Sequence, residues 1–354
     1  MATPFLPCPL SAGWELVAQA QLPRADAAGL PQGGFSAAAV VENELWLLSD
    51  APQGRLQRWQ GLDQLGVVPL RPAGSLPLPV SASGRRDRPA SLDGEGLVLR
   101  GNRAWVVSEG RRQPERLARL LAFDRADGRL LASLPLPEAW LENAGQGLQA
   151  NGGPESLTVL PALPGRRMGP AALLAAAELP LLQDPPDRVR LAALPLSGPG
   201  ADTPGQPGAP GWRSLRPLRL PGEGWGLTEL LALPQGSGEE PAGLLALFRR
   251  FEPPLQWQVR LALFPMPRPM PLPTSRPMPG EVSAADPPLE PLASWDLPAR
   301  GLPPDNWEAM AWRQRGPGLP PQLLLASDDN FNPLQANHLA LLQPRRSPTC
   351  AHQP

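Results

Sequence analysis

Four glutamates recur along the chain in the same local setting. They stand in Gly94-Glu95-Gly96-Leu97-Val98-Leu99, Pro154-Glu155-Ser156-Leu157-Thr158-Val159, Thr228-Glu229-Leu230-Leu231-Ala232-Leu233 and Trp307-Glu308-Ala309-Met310-Ala311-Trp312. A degenerate copy, Phe35-Ser36-Ala37-Ala38-Ala39-Val40, has Phe35 at the place of the acid. A second series of acids closes the apolar run that follows each copy: Asp50, Glu109, Glu178 and the pair Asp328-Asp329. Carboxylates gathered in one place repel one another unless a positive charge sits among them. A hard cation such as Ca2+ takes about 6–8 oxygen ligands from carboxylates, amides, carbonyls and water. It can then assist attack on a phosphoester or another ester. A pair of carboxylates can instead act on a glycosidic bond, one protonating and the other attacking. The spacing does not separate these chemistries.

The candidate residues follow. Glu95, Glu155, Glu229 and Glu308 are candidate catalytic acids, as general base or ligands. Glu109, Glu178, Asp328, Asp329 and Asn330 are candidate ligands for Ca2+. Arg249 and Arg250 stand where unit symmetry predicts an acid, and with Arg111 they are candidate contacts for an anionic or ester substrate. Other chemistries lack their residues. The chain has no Lys and no Tyr, so Schiff-base, P-loop and tyrosyl mechanisms are excluded. It has two His, His338 and His352, and a Ser-His-Asp triad would need His338. No Gly-x-Ser-x-Gly elbow surrounds Ser49, Ser108 or Ser327. His338 more simply takes the place of the basic residue that opens a third strand.

The acids need elements to hold them, and the apolar runs supply these. Second runs read Trp46-Leu47-Leu48-Ser49, Trp105-Val106-Val107-Ser108, Leu174-Ala175-Ala176-Ala177 and Leu323-Leu324-Leu325-Ala326-Ser327. Third runs open on a basic residue, at Arg119, Arg190, Arg260 and His338. Fourth runs close on Leu-Pro, at Leu78-Pro79, Leu136-Pro137, Leu220-Pro221 and Leu297-Pro298. With 52 Pro and 35 Gly, the chain disfavours long helices and favours short strands joined by turns. Four strands in each unit of roughly 60 to 80 residues predict an all-β fold, a β-propeller. Five four-stranded blades are counted, with six and one irregular unit as the alternative. The last unit has three strands, and Trp14 to Pro23 supplies its fourth, closing the ring. One propeller is expected over residues 14–343, with an extension before it and a disordered tail from Arg345. Pro-rich surface insertions are expected near 197–212 and 265–291. An inner-strand Glu can also accept hydrogen bonds from a neighbouring blade and tie the ring together.

Composition bounds the rest. A net charge of −1 argues against electrostatic nucleic-acid binding. No window reaches the ~20 apolar residues that span a bilayer. Residues 1–9 make a poor signal peptide, which predicts a cytoplasmic protein. Cys8 and Cys350 lie near opposite ends and are expected to be reduced unless the termini meet. A monomer acting on a small molecule is expected.

Taken together, the motifs resemble the family called "esterase-like activity of phytase", the phytase-like domain. The resemblance rests on Gly34-Phe35-Ser36-Ala37, Asp93-Gly94-Glu95-Gly96-Leu97, Trp105 to Glu109 and Gly226-Leu227-Thr228-Glu229. It rests most on Pro304-Asp305-Asn306-Trp307-Glu308 and Ala326-Ser327-Asp328-Asp329-Asn330-Phe331-Asn332-Pro333. It implies a propeller with recurrent acids and an esterase or phosphoesterase activity. Similar proteins are often exported, which makes a periplasmic or extracellular location the alternative. The expected function is a metal-assisted hydrolase. The alternatives are a propeller that binds a ligand or partner without catalysis, and a calcium-dependent lactonase.

Overall fold

The computed structural model describes residues 5–25, 29, 31–51, 54–81, 89–90, 92–109, 118–160, 171–196, 211–234, 243–254, 256–267, 287–316, 319–348 and 350. Arg111 and most of the two Pro-rich insertions lie outside the described residues.

The described strands form five four-stranded antiparallel sheets. Blade 1 comprises Phe35–Val41, Glu44–Ser49, Arg55–Gln60 and Arg71–Pro77. Blade 2 comprises Gly94–Arg100, Arg103–Ser108, Arg119–Asp124 and Leu130–Pro135. Blade 3 comprises Pro154–Leu160, Ala172–Ala177, Arg188–Pro195 and Arg213–Arg219. Blade 4 comprises Gly226–Ala232, Leu244–Glu252, Gln256–Phe264 and Ala293–Asp296. Blade 5 comprises Trp307–Arg313, Gln322–Ser327, His338–Pro344 and, from the other end of the chain, Trp14–Gln21. The first strands of successive blades lie side by side, and that of blade 5 lies against that of blade 1. The ring is therefore closed, as a five-bladed β-propeller.

The core is divided as the blades are. Each interface between adjacent blades holds its own apolar cluster. Leu48, Leu97 and Phe123 meet between blades 1 and 2. Leu247, Trp307 and Leu323 meet between blades 4 and 5, where Trp14 joins them. Central strands covered on both faces read as continuous apolar runs, which is why Leu323-Leu324-Leu325-Ala326 has no polar alternate. The leucine after each fourth strand is buried as well: Leu22, Leu78, Leu136, Leu220 and Leu297. Gly96 marks a close approach between blades 2 and 3. A Cβ there would lie 2.6 Å from the backbone nitrogen of Leu157.

The two ends of the chain meet at blade 5. Arg345 donates its N–H to the carbonyl of Gly13 at 3.0 Å, and Cys8 donates to the carbonyl of Arg345 at 2.9 Å. The described part of the segment after Pro344 is thus tied to residues 8–13. Cys8 and Cys350, expected to be reduced, form a disulfide across a separation of 342 residues. Ring closure is the physical reason, because it brings the termini together. A native cross-link restricts the unfolded chain and is worth about 2–5 kcal/mol. Reduction, or Cys8→Ser, should lower the unfolding free energy by that amount and so shift the urea midpoint down. An unchanged midpoint would mean that the clasp does not restrain the unfolded chain.

Candidate functional site

Every first strand carries one bulged residue near its start. Pairing with the second strand skips Ser36 in blade 1, Glu95 in blade 2, Glu155 in blade 3, Thr228 in blade 4 and Glu308 in blade 5. A bulge leaves its residue out of the ladder and re-aims the side chain. Glu95, Glu155 and Glu308 converge in this way: Glu95 feels the charge of Glu308, and Glu155 feels both. In the other two blades the bulged side chain is a short hydroxyl. Ser36 donates to the carbonyl of Gly94, and Thr228 lies 3.4 Å from the carbonyl of Trp307.

A second tier stands where the second strands end. The N–H groups of Asp50, Glu109, Glu178 and Asp328 donate to the carbonyls of Gly34, Asp93, Gly153 and Asn306 at 2.8–2.9 Å. In blade 4 the corresponding residue is Arg249, opposite Gly226. Its guanidinium reaches inward. It pairs with Glu308, bonds the side-chain oxygen of Asn306 and lies 3.2 Å from Glu178. Asn306 also donates to Glu308 at 2.9 Å. The two tiers form a funnel on the axis. Among the described residues it holds eight carboxylates, those of Asp50, Asp93, Glu95, Glu109, Glu155, Glu178, Glu308 and Asp328. Arg249 is a cation among them.

The charges set the titration. Burial, and then Glu308, Asp93, Asp50 and Glu109, hold Glu95 well above the usual carboxylate range. Burial and then Glu95 and Glu178 do the same to Glu155. Burial and then Glu308 and Asp50 raise Asp328. Glu308 is also raised by burial, with Arg249 opposing. Glu178 is pushed up to about 7 by burial, against the pull of Arg249. Burial pulls Arg249 down, and Glu308 and Glu178 more than reverse this, so its pKa is raised.

One group of acids has the spacing of a cation site. Asp93, Glu95 and Glu109 each offer an oxygen, and these atoms lie within 4.8 Å of one another. Oxygens bound at about 2.3–2.6 Å on opposite sides of one Ca2+ would be up to about 5 Å apart, so the group can close on a single ion. Asp93 was not among the residues chosen from sequence. Its signal was available: Asp93-Gly94-Glu95 occupies in blade 2 the place of Asn306-Trp307-Glu308 in blade 5.

Four expected site residues lie elsewhere or are used otherwise. Glu229 is one residue past the bulge. It is buried and accepts N–H bonds from Leu230 at 2.9 Å and from Leu157 and Met310 in the two neighbouring blades. It ties three first strands together and stays apart from the funnel acids, with its pKa raised by burial. Asp329 Oδ1 accepts the N–H groups of Gly34 (3.0 Å) and Phe331 (3.2 Å), and Oδ2 accepts Asn337 at 3.1 Å. It fastens the loop of blade 5 to blade 1. Asn330 is exposed. Arg250 pairs with Glu252 at 2.8 Å near the turn between the second and third strands of blade 4.

Among the described residues no serine triad is assembled. Ser327 Oγ lies 3.2 Å from Asp305 and accepts the backbone N–H of His338, while the His338 ring bonds Asp305 at 2.6 Å through Nδ1. The serine therefore faces the aspartate and not the imidazole.

Comparison with known proteins follows the architecture. Residues 30–331 match the phytase-like family, described as "Esterase-like activity of phytase". The chain belongs to the phytase-like family. No curated protein is similar enough to match this family member. Solved structures with a similar backbone include glutaminyl cyclase of Myxococcus xanthus, at 10% identity and TM-score 0.42 over 93% of this chain and 96% of that one. Another is an α-L-arabinanase of Cellvibrio cellulosa complexed with arabinohexaose, at 9% identity and TM-score 0.43 over 88% and 92%. A GH43_1 enzyme of Xanthomonas citri gives 10% identity and TM-score 0.42 over 92% and 89%. Among the described residues no helix of this phytase-like protein is long and apolar enough to cross a membrane.

Proposed function

We propose that the funnel is the active site of a metal-assisted hydrolase of a phosphoester or a related ester. The observation that carries this reading is the convergence of buried acids: Glu95, Glu155 and Glu308 feel one another's charge, and Asp93, Glu95 and Glu109 bring oxygens within 4.8 Å of one another. Burying several acids in one place is costly unless charges or hydrogen bonds hold them there. Arg249 compensates one side of the funnel, at Glu178 and Glu308. On the other side Asp93, Glu95 and Glu109 would hold a divalent cation, with Ca2+ suited to their all-oxygen donor set.

A bound cation would supply Lewis-acid polarisation of an ester oxygen. The chain's own residues do the rest. Glu178, titrating at about 7, is matched to proton transfer near neutral pH. Glu155 beside it, whose pKa burial raises well above the usual carboxylate range, is the acid for a leaving oxygen. Arg249 is the cation beside which an anionic substrate group would settle, in exchange for its contact with Glu178. The disulfide supports an oxidising compartment, periplasmic or extracellular, over the cytoplasm. In this reading the protein acts as a monomer on a small molecule.

The test is an assay of phosphomonoester, phosphodiester and carboxylester substrates with Ca2+ and with chelator, alongside thermal melting. Glu95→Gln and Glu109→Gln should each weaken Ca2+-dependent turnover by roughly 10- to 100-fold, the range for lost metal-site partners. They should also reduce the Ca2+-induced rise in Tm. Stabilisation by Ca2+ without turnover of any ester would favour a binding propeller. No effect of Ca2+ on either readout would remove the metal from the reading.

A further inference from the structure

The blade 1 sector of the funnel differs from that of blade 2. Its bulged residue is Ser36 and its lead-in residue is Gly34, where blade 2 has Glu95 and Asp93. Gly34 has φ +64, and a Cβ there would come 2.0 Å from Oδ1 of Asp50 and 2.6 Å from the ring of Phe331. An aromatic ring therefore lies against this backbone, beside the blade 1 acid of the second tier.

Phe331 reaches this place on strained backbone. It has φ +50, and Asn330 before it has φ +47. A bulky L residue avoids this region because its Cβ crowds the backbone. Two buried carboxylates hold the pair in place. Asp328 Oδ1 accepts the N–H of Asn330 at 2.9 Å. Asp329 Oδ1 accepts the N–H of Phe331, and the same oxygen accepts the N–H of Gly34, clamping the loop to blade 1. Yet Phe331 remains 44% exposed. Folding alone gives no reason for a clamped, strained aromatic residue left in solvent. Strain of this kind persists where the surroundings over-determine it, and it concentrates at functional positions.

We propose that Phe331 is a substrate-contacting specificity residue, and that the ester handled in the funnel carries an aryl group beside its reacting centre. This rests on the reading of the funnel as a hydrolase site. The acids and Arg249 take the polar centre, and the ring of Phe331 stacks with the aryl group. Offset or edge-to-face ring contacts are of a strength that corresponds to roughly 3- to 10-fold in affinity.

The experiment compares phenylphosphonate with methylphosphonate, which cannot be hydrolysed as esters. Binding to the full chain is measured by calorimetry with Ca2+ present. The natural chain should prefer the phenyl compound roughly 3- to 10-fold. Phe331→Asn relieves the backbone strain and removes the ring, so it should abolish the preference without lowering Tm. Phe331→Leu serves as the second variant should the first not fold, and it should reduce the preference. An absent preference in the natural chain, a preference unchanged in the variants, or no binding of either compound would overturn the proposal. The hydrolase reading fails separately. A phenyl preference that depends on Phe331, in a protein that turns over no ester, would keep the aryl subsite and remove the catalysis.

Discussion

Replacing Arg249 with methionine should destabilise the folded protein by about 3–5 kcal/mol near neutral pH, the range for removing one partner of a buried ion pair. The guanidinium is buried at the centre of the ring, with 18% of its side chain exposed. It holds Glu178 and Glu308 together, and their side chains are 12% and 10% exposed. Without it those two carboxylates share a poorly solvated space with Glu155 and Asp328, and among the described residues no other cation pairs with them. They can escape by taking up protons, so the loss should shrink as the solution is acidified. Urea unfolding of both proteins at about pH 8 and about pH 5 measures this. The difference in stability should be largest at the higher pH and smaller at the lower. Saturating Ca2+ should recover part of it if the cation site is occupied. Lysine at the same place should recover only part, since it offers one compact charge where arginine serves two carboxylates and Asn306. A methionine variant as stable as the natural chain at about pH 8 would show that the acids hold no net charge there.

The propeller was legible because each blade repeats its apolar runs and its closing Leu-Pro. The ring closure was legible because the last unit lacks a strand that Trp14 to Gln21 can supply. What the residues could not reveal was the register at each bulge. Thr228-Glu229-Leu230 aligns with Pro154-Glu155-Ser156 by its acid, but Leu227 pairs with Phe248, and the bulge falls on Thr228. One residue of slip sends a side chain to the other face of the strand. Glu229 thus became a tie between blades, while Thr228 took the position of the funnel acids. The same logic aligns Ser36, not Phe35, with Glu95. Asp329 was legible as an acid, but its N–H partner Gly34 lies 295 residues away. Cys8 and Cys350 likewise become neighbours only once the ring has closed.

Without added cation, the protein should lose stability as pH rises from about 5 to about 8, the reverse of the usual trend for carboxylates paired in the native state. The sign comes from proton counting. Glu178, with an ordinary carboxylate value of 4.5, is raised to about 7 in the folded protein. Between those values the folded state binds more protons than the unfolded state. Stability is therefore full below about 4.5, falls as pH rises through the window and levels off above about 7. At about 1.4 kcal/mol per unit, this one group amounts to about 3 kcal/mol. Glu95, Glu155 and Asp328 are raised in the same direction and extend the fall upward. Asp187, whose pKa is lowered by Arg188, titrates below this window and leaves the slope unchanged. For a chain of this size a few kcal/mol correspond to a fall in Tm of roughly 5 °C or more. Melting curves in chelator across that range give the slope directly. Saturating Ca2+ should flatten it, because a cation bound only by the folded state replaces the protons that the acids would otherwise need. A Tm that rises with pH in chelator would mean that these carboxylates are solvated and separate, and the funnel would not be the charged, buried site its geometry describes.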